Sequence, residues 1–250
     1  MYRGDIDRLV RDGFNSVRYS IAPSQVLARG PDGRQRADAG GVGFYRDVTT
    51  SLLSSGVTPL VAMFHRDYPR RFDWWSESVV EEAVRYASFL FSTFPEINNW
   101  ITFDEPHRLC FPDEGGGAHP PTATLKYSQY ICGHNILRAH AHTVALYRQN
   151  HKHASGGRIG IVLSYSFVVP DNASDPADQA AAQLSHDFNL GWWADPIYLS
   201  GDYPASMRER LGAHLPSFTR AERAALRGSW EGFYGLGAYA GSCVPAGRHR

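Results

Sequence analysis

The stretch Trp100-Ile101-Thr102-Phe103-Asp104-Glu105-Pro106 decides how the rest of the chain is read. Apolar and β-branched residues run directly into two adjacent carboxylates, and a proline then ends the run. This is how a buried parallel strand looks when it delivers acid groups to the rim of a sheet. Successive strand residues point to opposite faces, so Asp104 and Glu105 share a face only if the strand ends between them. The plainer reading of the same residues is a strand end with solvated acids before a turn.

Outward from this stretch, strands are predicted near 14–21, 58–64, 98–104, 158–165 and 232–239. Helical spacing separates them: Ile6, Leu9 and Val10 before Gly13, then Phe44, Val48 and Leu52 before Gly56, then helices near 79–94 and 127–149. Residues 28–41 and 107–124, rich in Gly and without a period, read as loops. Thr219, followed three residues later by Glu222, is a capping box that opens a short helix. Strands alternating with helices imply right-handed parallel βαβ units. Residues of catalytic type stand at the carboxyl ends of several strands, where (β/α)8 barrels build their sites. No G-x-G-x-x-G follows a strand, which disfavours a nucleotide-binding sheet. Five strands do not close an eight-stranded barrel. The expected fold is therefore α/β, a partial TIM (β/α)8 barrel with surrounding helices, as a single domain over 1–250.

Two strand residues stand out. Arg18 lies in the middle of the first predicted strand, where it is either paired, because an isolated buried charge is costly, or on an edge strand facing solvent. His65 follows the second strand and is either a hydrogen-bonded structural histidine or a site residue. His134, His140 and His142 lack the i, i+4 pairing of a metal-binding helix, and no metal or other cofactor is expected.

Composition narrows the partner. Lys+Arg and Asp+Glu both number 25, so no net field draws nucleic acid or an anionic membrane, and neither is expected as a partner. Six Trp and thirteen Tyr suit a site that stacks on flat apolar faces such as sugar rings. Cys110, Cys132 and Cys243 are odd in number and lack metal-ligand spacing, so neither a disulfide framework nor a zinc site is indicated. The apolar run near 159–170 is too short to span a bilayer, and no signal peptide is visible after Met1; a cytoplasmic location is expected. Asn172-Ala173-Ser174 matches a glycosylation triplet.

In order along the chain, Val17-Arg18-Tyr19-Ser20-Ile21, His65 to Pro69, Trp100 to Pro106, Gly133 to Leu137, Trp192 to Tyr198, Gly201 to Pro204 and Gly228 to Tyr239 resemble glycoside hydrolase family 1, the retaining β-glucosidases, most closely the fungal members. The resemblance implies hydrolysis of β-glucosidic O-linkages with retention, with a β-glucoside or oligosaccharide as substrate. Glu105 stands at the general acid/base, a job that needs a carboxyl which can hold and release a proton near neutral pH. Arg18 matches the arginine that holds the nucleophile's carboxylate, and Tyr239 the tyrosine that orients it. His65 matches a residue that hydrogen-bonds a sugar hydroxyl.

Several positions depart from the family. Asp104 replaces the Asn that binds the sugar 2-hydroxyl, adding a charge beside Glu105. Arg66 replaces a Trp, and Gly237-Ala238-Tyr239 replaces Asn-aromatic-Tyr. The nucleophile glutamate, in a Thr-Glu-Asn-Gly segment, would lie beyond Arg250, and the family's first strand would precede Met1. Asp67, Asp104 and Asp202 are the other acids near the rim, and none matches the nucleophile. The chain is thus expected to be an incomplete family 1 barrel without glucosidase activity of its own, prone to self-association through open sheet edges. The alternative is a catalytically inactive remnant that binds sugar or serves as an interaction module.

Overall fold

The computed structural model describes residues 2–29, 35–65, 72–111, 126–150, 156–230 and 232–246. Helix α1 (Tyr2–Arg11) leads into β1 (Ser16–Ser20). After the single turn α2 (Pro23–Val26) come β2 (Leu27–Arg29) and β3 (Gln35–Ala37), paired antiparallel. The segment read as a loop therefore contains a small hairpin, and α3 (Ala39–Ser54) starts inside it, with Asp38 accepting from the Gly41 N–H at 2.8 Å as its N-cap. This short hairpin carries no alternating apolar pattern, which is why sequence periodicity missed it.

Next come β4 (Thr58–Phe64), α4 (Ser78–Thr93), β5 (Asn99–Asp104) and the short helix α5 (Pro106–Cys110), which occupies the start of the second predicted loop. Helix α6 (Ser128–Asn150) follows, then β6 (Arg158–Pro170) and α7 (Pro176–His186). Two π-helical turns, Asp187–Gly191 and Asp195–Leu199, flank α8 (Trp192–Ala194). Helices α9 (Ala205–Leu211) and α10 (Arg220–Arg227) precede β7 (Gly232–Val244). The capping box at Thr219 and Glu222 is formed in both directions.

The main sheet has the order β1-β4-β5-β6-β7 and every neighbouring pair is parallel. The sheet and its helices form the partial barrel expected from the sequence. The two faces differ in what covers them. Helix α4 packs Val79, Ala83, Tyr86, Leu90 and Phe91, at i, i+3 and i+4 spacing, into the large outer core with Val61 and Met63 of β4 and Trp100 of β5. The larger aliphatic and aromatic side chains among these contribute about 1.5–3 kcal/mol each on burial. The inner face holds a smaller cluster of Ala62, Ile101 and Val162, with Leu60 and Phe233 against it.

One expectation is overturned at the end of β5. Cys110 and Cys132 form a disulfide, Cα to Cα 5.6 Å, that ties α5 to α6. An odd cysteine count argued against a framework, but it does not exclude a single bridge. Cys243 is the free, exposed remainder.

Candidate active site

The chemistry converges on the end of β5. Between Ile101 and Asp104 the pairing with β6 shifts by one residue, so β5 carries one residue more than its partner. Such a bulge breaks the alternation of faces. Thr102 points outward and bonds His140 of α6 at 2.8 Å. Alternation alone would send Asp104 the same way. Instead Asp104 turns inward, where its carboxylate accepts from Arg18 Nη1 at 2.9 Å.

The strand ends at Asp104, and Glu105 has the left-handed backbone conformation, φ 54°. Its N–H still continues the ladder to the Val162 carbonyl at 2.9 Å, while its own carbonyl accepts from the Arg108 N–H to begin α5. A non-glycine residue in this region costs of order 1 kcal/mol, and such residues concentrate at functional sites. The two adjacent carboxylates thus part company: Asp104 reaches toward β1 and Glu105 toward β7.

Both are buried, Asp104 at 1% and Glu105 at 4% exposure. Arg108 Nε lies 3.3 Å from Glu105 Oε2, a pairing one helical turn long. Glu105 Oε1 has no hydrogen-bond partner among the described residues. It faces Gly237 on β7, where an added Cβ would sit 3.1 Å from Oε1 and 3.2 Å from the Tyr239 hydroxyl. The absent side chain lets β7 approach this buried, unsatisfied carboxyl oxygen closely.

The remaining expected site residues take varied places. Arg18 satisfies both of its sequence readings: β1 is an edge strand and the side chain is 42% exposed, yet it is ion-paired. The carboxylate it holds is that of Asp104. His65 sits half-buried one residue beyond β4, at the same end of the sheet as Glu105. Tyr239 is on β7 and largely exposed, with its ring beside Gly237. Asp202 is engaged by Arg223 at 2.9 Å and by Arg208. Arg66 and Asp67 lie outside the described residues.

His134 and His140 of α6 are packed, while His142 is exposed. His134 bonds the Tyr203 hydroxyl at 2.9 Å and stacks on Phe218. No group of three potential metal ligands exists among the described residues. An open cleft of about 510 Å³, bordered by His186, Asp187, Asp195, Tyr198 and Tyr234, lies against the outside of β7, and Glu105 does not line it. Within it, burial and the nearby Asp187 raise the Asp195 carboxyl above the usual carboxylate range.

The profile of glycosyl hydrolase family 1 matches residues 1–249. The chain belongs to this family. β-Glucosidase 1B of Phanerodontia chrysosporium is a family 1 relative 36% identical over 98% of this chain and 48% of its own length. β-Glucosidase 42 of Arabidopsis thaliana is 35% identical over 95% of this chain and 49% of its own. Among solved structures, β-glucosidase 2 from Trichoderma reesei in complex with Tris superposes with a TM-score of 0.86 at 39% identity, covering 96% of this chain and 53% of that one. The β-glucosidase from Trichoderma harzianum gives 0.87 at 37%, with 97% and 53% covered. The chain spans about half the length of the curated relatives it matches.

Three features of this family 1 site escaped sequence reasoning: the bulge in β5, the bridge from α5 to α6, and Arg108. Only Arg108 left a usable signal, its i, i+3 spacing from Glu105 on a helix opened by Pro106. A bulge has no composition mark, and two cysteines 22 residues apart become partners only when α5 and α6 are packed together.

Proposed function

We propose that this family 1 chain carries the acid/base part of a retaining β-glucosidase site, hydrolysing β-glucosidic O-linkages. The observation that carries the proposal is Glu105: a buried carboxyl at the end of a parallel strand, anchored through Oε2 by Arg108 and with Oε1 unsatisfied. In the first step Glu105 gives its proton to the glycosidic oxygen as the bond to the anomeric carbon breaks. In the second it takes a proton from the water that releases the sugar. His65 is the proposed donor to a sugar hydroxyl, and Asp104, fixed by Arg18, a proposed acceptor beside the ring.

Retention needs a second carboxylate about 5–5.5 Å from the first. Asp104 is committed to Arg18, so in this reading the attacking carboxylate comes from sequence other than these 250 residues, oriented by Tyr239. The chain alone is then expected not to turn over an aryl β-glucoside. A chimera that joins it to the remaining half of the Phanerodontia chrysosporium relative is expected to do so. There, Glu105→Gln should lower kcat/KM, which reports the first step, at least 10²-fold for glucosides of poor leaving groups and far less for activated aryl glucosides, because only the former need the acid. Equal losses on both substrates, or none, would remove Glu105 from this role.

The Arg18–Asp104 pair favours a second reading. It fills the arginine's carboxylate site with an aspartate of the chain itself, as expected of a sugar-binding remnant. An inactive chimera, together with glucose binding by the chain that weakens in His65→Ala, would decide for it.

A further inference from the structure

Asn172-Ala173-Ser174 lies in the turn that follows β6, and all three residues are exposed. The turn is held from below. Asp178, 6% exposed, accepts from the Asn172 N–H at 2.9 Å through one carboxylate oxygen and from the Ala246 N–H through the other. The Asn172 carbonyl accepts from the Asp175 N–H at 3.0 Å. Asn172 Oδ1 accepts from the Ser174 N–H, also at 3.0 Å. Its backbone and carbonyl oxygen are therefore fixed, and among the described residues its Nδ2 makes no hydrogen bond. The amide nitrogen is presented outward on an ordered turn, with room for a bulky substituent.

An Asn-x-Ser triplet alone says little, since such triplets arise by chance. The second observation concerns compartment. Cys110 and Cys132 are bridged, and both are fully buried in the main core. Disulfides form and persist in secretory and extracellular compartments and are rare in the reducing cytosol. A folded chain carrying this bridge has been through an oxidising compartment, the same one in which Asn-x-Ser triplets are acceptors. The exposed triplet and the buried bridge lie on different elements of the chain, and they point to one itinerary.

We propose that Asn172 is an N-glycan acceptor and that the chain matures in the secretory pathway rather than the cytoplasm. In the transfer, Asn172 Nδ2 forms a bond to C1 of an oligosaccharide carried on a lipid diphosphate. The C1–O bond to the carrier breaks with its electron pair on the diphosphate oxygen, and an amide proton passes to a base of the transferase. Formation of the bridge passes two electrons and two protons to a protein-disulfide oxidant. The glycan would stand at the carboxyl end of β6, at the same end of the sheet as the Glu105 rim. The proposal does not depend on the catalytic reading of Glu105.

The test is mass spectrometry on the protein purified from its natural source. Peptide N-glycosidase in heavy-oxygen water should convert Asn172 to a labelled aspartate, and the peptide that carries it should lose the mass of one glycan. In denaturant, alkylation without reductant should mark Cys243 and leave Cys110 and Cys132 unmarked, and after reduction all three should be marked. An unmodified Asn172 overturns the acceptor site even if the bridge is present. Three thiols alkylated before reduction overturn the itinerary. Expression of Asn172→Gln in a secretory host should abolish the glycan while leaving the thiol count unchanged.

Discussion

His140 makes the scaffold behind the site sensitive to acid. It lies in α6, fully buried, with Nδ1 against the Thr102 hydroxyl at 2.8 Å. That hydroxyl also donates to the Gly160 carbonyl at 3.2 Å. Burial pushes the imidazole from its ordinary value down to about 4; the backbone of Ser229 opposes this and Arg148 adds to it. The folded state thus resists a proton that the unfolded chain accepts below about pH 6.5. Stability is complete above that pH and falls at about 1.4 kcal/mol per pH unit as the pH drops toward 4. At pH 5.0 the loss from His140 is about 2 kcal/mol, a sizeable part of the roughly 5–15 kcal/mol that holds a domain folded. His134, also pushed down to about 4 by burial, adds a loss of the same sign.

The perturbation is His140→Asn, which keeps a polar atom near the Nδ1 position and removes the titration. Urea unfolding followed by tryptophan fluorescence at pH 7.5 and 5.0 gives the two stabilities. At pH 7.5 the variant should be about 1–2 kcal/mol weaker from lost packing. Between the two pH values it should lose about 2 kcal/mol less than the parent chain. Identical losses in both proteins would refute the assignment, since the contribution of His134 is common to them. Because Thr102 is two residues before Asp104, the same protonation should disturb the strand that carries Glu105.

The bridge and the open sheet edge give two further expectations. Cys132→Ser opens a loop of 22 residues and should lower stability by about 3 kcal/mol, read as a reduced urea midpoint; an unchanged midpoint would mean that packing alone holds α5 on α6. The thirteen residues of β7 form an edge strand without a single charged side chain, and Leu236 on it is 45% exposed. Long uncharged edges pair with other chains, so light scattering should show concentration-dependent association that Leu236→Lys suppresses; a monomer at all concentrations would contradict this.

Much of the fold was legible because its signals are local. The apolar run Thr58–Phe64 and the stretch ending in Asp104 were read to within a residue of β4 and β5, since parallel strands buried on both faces leave continuous apolar runs. Thr219 and Glu222 announced their helix because the capping box closes within four residues. The hairpin of β2 and β3 went unread because three-residue strands carry no period. β6 continues to Pro170, past the predicted end at 165, because β7 pairs with it along that whole length, a contact that residues 158–170 do not reveal by themselves.

The sequence by itself determined the alternation of strands and helices, the family, and the position of Glu105 at a strand end. The first and the last follow from residue spacing, which acts over a few positions, and the family from the resemblance of motifs in order along the chain. Tertiary structure decided the partners: that a bulge turns Asp104 onto Arg18, that Arg108 anchors one oxygen of Glu105 while the other lies buried against Gly237, and that Cys110 meets Cys132. Those pairings join residues from separate elements. They arise only when the sheet curls and the helices close on it, where burial makes an unpaired charge or polar atom costly.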